Sequence, residues 1–152
     1  MVTRHQGRLR AFLARLGGRD RADELAQDTF LRAWIRAGDY RGSGSYAGWL
    51  YRIAWHLFLD QQRANNRRLA RETHHAVGPD QAEPDAESMI DAQRLLGLLD
   101  ERSRAALLLC DGYGWSHSKA AAMLDIPLGT LKSLIGRAKL RLREAIRSGN
   151  TA

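Results

Sequence analysis

The 152-residue chain has a single cysteine (Cys110), three prolines and only three lysines (Lys119, Lys132 and Lys139). One cysteine excludes an internal disulfide framework and a thiolate metal cluster. No run of 18 or more apolar residues occurs, which excludes a transmembrane helix. Residues 1–10 lack the apolar core of a secretory signal, so a cytoplasmic protein is expected. Histidines are few and scattered: His5, His56, His74, His75 and His117. The adjacent pair has no third ligand at metal-binding spacing, so neither a metal site nor a catalytic constellation is expected, and no cofactor.

Arginine, by contrast, is abundant. It supplies 21 of the 24 basic residues, against 17 acids, for a net charge of +7. The charge is unevenly placed. Residues 1–71 carry 14 bases and 6 acids, residues 72–101 carry 1 base and 8 acids, and residues 102–152 carry 9 bases and 3 acids. Two basic modules flanking an acidic stretch fit two contacts with one polyanion. Ordinary solvated faces would give the same counts.

Periodicity points to an all-α fold. Leu9, Phe12, Leu13 and Leu16 recur at helical spacing, and Gly17-Gly18 ends that helix. Asp20 is placed to cap the next helix, whose apolar stripe is read as Ala22, Leu25, Ala26, Phe30, Ala33 and Trp34. Its other face shows Asp23, Glu24, Gln27, Asp28 and, against the pattern, Leu31. Residues 38–45 are a Gly- and Ser-rich loop. A helix follows over about 45–65, with Leu50, Ile53, Ala54 and Leu57 inward. More than half of the eleven aromatics lie between Tyr40 and Phe58.

The pattern fails over residues 69–86, an acidic stretch with two prolines that reads as a flexible linker. Fully extended, those residues reach roughly 60 Å. Helical spacing returns with Met89, Ala92, Leu95, Leu96 and Leu99, and again from Ala105 to Cys110. The expected organisation is two small helical domains, 1–68 and 87–148, joined by the linker.

Residues 116–143 have the layout of a helix-turn-helix: a two-turn helix capped by Ser116, a break at Asp125-Ile126-Pro127, then a long basic helix. At 100° per residue, Leu131, Ile135, Ala138 and Leu142 share an inner face. Ser133, Gly136 and Arg137 then point outward, with Lys132 at the flank. Thr130 and the first backbone N–H groups are placed to meet a phosphate. An αα-hairpin with a solvated basic face has the same spacing.

The stretch from Trp115-Ser116 through Ile126-Pro127-Leu128-Gly129-Thr130-Leu131-Lys132-Ser133 to Arg137-Ala138-Lys139-Leu140-Arg141-Leu142-Arg143 resembles region 4 of extracytoplasmic-function (ECF) sigma factors, small members of the sigma-70 family. Independently, Asp23-Glu24-Leu25-Ala26-Gln27-Asp28-Thr29-Phe30-Leu31-Arg32-Ala33-Trp34 resembles region 2.2 of that family, and residues 46–60 resemble regions 2.3 and 2.4. The two matches stand in the family's order and together cover nearly the whole chain.

The resemblance implies a subunit that binds core RNA polymerase and directs it to promoter DNA, with no catalytic residues of its own. Asp23, Glu24, Gln27, Asp28 and Leu31 would face the β′ clamp helices. Tyr40, Arg41, Ser43, Tyr46, Trp49, Arg52, Trp55, His56 and Arg63 would engage the −10 element, the aromatics stabilising unstacked bases and the arginines holding phosphates. Thr130, Lys132, Ser133, Gly136, Arg137 and Lys139 would engage the −35 element, and region 4 would also touch the β flap. An anti-sigma factor is an implied further partner.

The chain departs from the family's pattern in places. It starts almost inside region 2.1, where the family has a further helix. His56 stands where Asn is common, Asp125 where a turn glycine is usual, and Leu134 where Arg is frequent, so a contact at the recognition-helix flank is expected to be lost. Ser118 and Lys119 replace acids common on the bracing helix. Two other readings use fewer of these features: a stand-alone helix-turn-helix regulator, which leaves the region 2.2 match without a role, and a sigma-like decoy that titrates polymerase or an anti-sigma factor.

Overall fold

The computed structural model describes residues 2–40, 42, 45–71 and 87–149, with side chains from residue 4 onward and not for 87–91. Among the described residues the fold is all-α, in two helical domains without strands. Helices α1 (Val2–Gly17), α2 (Arg19–Ile35) and α3 (Tyr46–Arg71) pack on one another to form the first. Helices α4 (Glu87–Leu96), α5 (Glu101–Leu107), α6 (His117–Leu124) and α7 (Leu128–Gly149) form the second.

The α1–α2 corner follows from its two glycines. Gly18 sits at φ 101°, a conformation that favours glycine, and turns the chain within one residue. At Gly17 a Cβ would fall 2.6 Å from Cε2 of Phe58, so glycine lets α3 close on α1. Gly18 is also the N-cap of α2; Asp20 lies in the first turn instead, where its charge still suits the helix dipole. Leu9, Phe12, Leu13 and Leu16 are fully buried, as their spacing requires.

In the second domain, local hydrogen bonds define each boundary. Asp100 caps α5, its carboxylate accepting from the Ser103 N–H at 2.8 Å. Hydrogen bonding by the Ser103 side chain, and secondarily by its N–H, holds the carboxyl below its usual range. A π-helical turn at Leu108–Gly112 follows, with the Tyr113 N–H donating to the Leu108 carbonyl. Ser116 caps α6, accepting from the Lys119 N–H at 3.1 Å. At the other end of α6, Asp125 takes the left-handed conformation (φ 56°, ψ 44°). The Ile126 N–H then reaches the Ala121 carbonyl and the Asp125 N–H the Ala122 carbonyl, the paired bonds of a Schellman stop.

Two differences from the sequence reading concern extent and relation. Helix α3 continues to Arg71, six residues beyond the expected end, so helix occupies the first three positions read as linker. The remainder of that linker, 72–86, lies outside the described residues. The two domains also pack against each other rather than standing apart: α3 contacts α6, and α1 contacts α5. Tyr51 of α3 is buried between Phe12 (ring centroids 5.3 Å apart) and Trp115 (5.1 Å), and burial pushes its hydroxyl up to about 12. Arg104 of α5 donates to the Leu96 and Leu99 carbonyls and, across the seam, to the Leu16 carbonyl at the end of α1. One guanidinium thus satisfies the final turns of two helices, where a cation also suits the dipole.

Candidate nucleic-acid and protein interfaces

Helix α2 presents the first surface. Asp23, Glu24, Gln27 and Asp28 are exposed, and Thr29 turns inward, donating its hydroxyl to the Leu25 carbonyl at 2.7 Å. Asp23 is tied back to Arg10 of α1 at 2.8 Å. Leu31 is 59% exposed, as the sequence indicated. Trp34 is not on the inner stripe: it is 82% exposed, and Ile35 beside it is 70% exposed. The reason is angular. From Ala22, Trp34 lies about 120° around the helix, on the side of Leu31 and Ile35. Leu31, Trp34 and Ile35 therefore form an apolar strip bordered by polar side chains. Sequence reading missed Trp34 and Ile35, although their spacing from Leu31 was visible.

The second surface is the start of α3 and the turn before it. Tyr40, Tyr46 and Trp49 converge there, with centroid distances of 5.7 Å (Tyr40–Tyr46), 5.3 Å (Tyr40–Trp49) and 5.8 Å (Tyr46–Trp49). All three are partly buried and partly exposed. Arg41 and Ser43 lie outside the described residues. Trp55 has a different place: it is 1% exposed and stacks on Phe58 at 5.8 Å. Its ring is core, and it cannot stack on a base without leaving that core. Arg52, His56 and Arg63 remain on the outer side of α3. Arg63 lies 3.8 Å from Asp60, whereas Arg52 and His56 both meet Asp125 of the second domain, at 2.6 and 3.0 Å.

The third surface is the outer face of α7. Thr130, Lys132, Ser133, Gly136 and Arg137 are exposed along it, and Leu131, Ile135 and Ala138 are buried behind. Leu134 joins the buried set rather than the flank, so the leucine there serves packing. A Cβ on Gly136 would meet nothing within 4 Å, so no internal packing calls for glycine at this point. Lys139 is half-buried and bridges to Asp111 at 3.1 Å, which ties it to the π-helical turn. Cys110, within that turn, has its thiol pushed up by burial.

No group of three or more metal-ligating side chains, and no helix long and apolar enough to cross a membrane, occurs among the described residues. The arrangement offers binding faces: one apolar and acidic, one aromatic and basic, one small, polar and basic.

Comparison with known proteins matches both domains to described families. The family described as Sigma-70 region 2 matches residues 1–68, and that described as Sigma-70, region 4 matches residues 90–142. The ECF RNA polymerase sigma factor SigM of Mycobacterium tuberculosis is 35% identical, covering 99% of this chain and 78% of its own length. SigE of Mycolicibacterium smegmatis is 34% identical over 95% of this chain, which spans only 59% of that protein. Among solved structures, the sigma factor RpoE from Bartonella quintana, in complex with the anti-sigma factor NepR, has a TM-score of 0.84 at 28% identity, covering 96% of this chain and 94% of that one. CnrH, in complex with the cytosolic domain of CnrY, has a TM-score of 0.71 at 27% identity, covering 97% and 85%.

Proposed function

Since this chain belongs to the extracytoplasmic-function family of RNA polymerase sigma factors, we propose that it docks on core RNA polymerase through α2 and directs it to a two-part promoter. The exposed strip of Leu31, Trp34 and Ile35 carries this reading. Three large apolar side chains left open within a polar face have the composition of an interface centre, with Glu24, Gln27 and Asp28 as its polar rim. A stand-alone regulator has no use for such a strip.

The remaining faces then take their parts in order. The α7 face enters the major groove at the −35 element. Arg137 and Lys132 contact bases or phosphates there, and Gly136 admits close approach of the DNA backbone. Tyr40, Tyr46 and Trp49 offer ring faces to bases unstacked at the −10 element, each stacked base contributing about 1–3 kcal/mol. Arg52, His56 and Arg63 supply the adjoining polar and basic contacts. Trp55 has no part in this set. Bond formation belongs to the polymerase; this chain selects and opens the site. An anti-sigma protein is its expected regulator, by analogy with the complexes of the similar RpoE and CnrH.

The test is direct binding to core polymerase. The parent chain should comigrate with core enzyme in size-exclusion chromatography. Trp34→Ala should weaken that complex by at least about tenfold, the scale of an interface hot spot, while leaving thermal stability nearly unchanged. Undiminished binding by Trp34→Ala would remove α2 from the docking surface.

A further inference from the structure

Asp125 occupies a position where backbone physics favours glycine: the left-handed residue that stops α6. Its carboxylate does not point idly into solvent. One oxygen accepts from Arg52 Nη2 at 2.6 Å and the other lies 3.0 Å from His56 Nε2. These partners sit one turn apart on α3, in the other domain, so a single side chain bridges the seam to two donors. Around it, Asp60 and Arg63 of α3 and Arg102 of α5 line the same cleft, with Leu59 and Leu124 as its apolar floor. The seam alongside is apolar and aromatic, with Tyr51 against Trp115 and Lys119 Nζ 4.2 Å over the Trp115 ring.

We propose that Asp125 is an intramolecular latch, its carboxylate holding Arg52 and His56 in the place a DNA phosphate or base edge would take, so that the free chain stays compact with part of its −10 surface occupied. Promoter engagement then requires the latch to release. A carboxylate presents the acceptor geometry that a guanidinium finds in a phosphate, so the mimicry is chemically direct. Both contacts are about half-exposed, so each contributes modestly and the latch is releasable rather than permanent. The occlusion of DNA-binding groups rests on the assignment of Arg52 and His56 to promoter DNA made above; the latch itself does not.

Asp125→Asn tests this, because Asn also tolerates the left-handed conformation and removes only the charge. Small-angle X-ray scattering on the full chain should show a larger radius of gyration for Asp125→Asn, and also for Arg52→Gln, which cuts the latch from the other side. Binding to a random-sequence single-stranded DNA pool, read by fluorescence anisotropy, should tighten about three- to tenfold in Asp125→Asn, as the competent fraction rises. Glu144→Gln removes the same charge from an exposed site on α7 and should change that affinity by less than about twofold. Scattering curves of both latch variants superimposable on the parent would overturn the latch, as would equal tightening in Asp125→Asn and Glu144→Gln. Expansion without tighter DNA binding would keep the latch and overturn the placement of Arg52 and His56 on DNA.

Discussion

Helices α3 and α7 are the two longest in the molecule, and each carries a row of side chains suited to nucleic acid, but they use their circumferences differently. Helix α7 buries one stripe, Leu131, Leu134, Ile135 and Ala138, and leaves its polar face open. Helix α3 is enclosed on two sides. Leu50, Ile53 and Ala54 pack into the first domain, and Tyr51, Trp55 and Phe58, a quarter-turn or more away, are buried as well. The contrast teaches that a polar residue on an amphipathic helix announces its side, whereas an aromatic does not. A tryptophan serves equally as core and as a platform for a base, and only its neighbours decide.

Four substitutions sharpen that contrast. Trp55→Ala carries the largest expected effect: deleting a fully buried indole should cost about 3–5 kcal/mol, seen as a large drop in thermal midpoint. Trp49→Ala, at the half-buried aromatic cluster, should cost far less stability but impair promoter opening, followed by permanganate footprinting. If the two tryptophans exchanged these phenotypes, the division of α3 into core and reader would be wrong.

On α7, Arg137→Ala should weaken promoter binding by about 1–3 kcal/mol and leave affinity for core polymerase nearly unchanged. A loss of polymerase affinity instead would mean that the outer face of α7 meets protein.

The smallest effect concerns local architecture in the second domain. Asp100→Ala should cost about 1 kcal/mol through loss of the α5 cap. The Ser103 hydrogen bond lowers the folded-state pKa of Asp100. The cap's contribution is therefore present above the unfolded value near 3.8 and is lost as pH falls through the lower, folded one. Chemical denaturation of parent and variant at neutral and strongly acidic pH should show the gap closing on acidification.

What was legible in the sequence was whatever depended on nearby residues. The buried stripe of α1, the Ser116 cap and the left-handed stop at Asp125 follow from spacing and side-chain chemistry within a few positions. The α2 and α7 faces were legible for the same reason, helped by motif resemblance. Trp34 was misplaced through an angle that the sequence itself supplies. Trp55 was misread for a different reason. Of the stripe chosen for α3, Leu50, Ile53 and Ala54 are buried and Leu57 only partly so, while a second stripe became core because more than one neighbour packs on that helix. The pairing of Arg52 and His56 with Asp125 was invisible too, since it spans about 70 residues of chain and depends on how the two domains meet. Periodicity gives the direction a side chain points; it does not say what stands there.

A sigma factor makes core polymerase start at chosen places, and this chain is proposed to do so. The most direct measurement is in vitro transcription with core RNA polymerase, this protein and genomic DNA fragments, followed by sequencing of transcript 5′ ends. Starts should appear only with the protein present and share a two-part upstream motif. A chain that binds polymerase yet yields no dependent starts, or that does not bind polymerase at all, would contradict it.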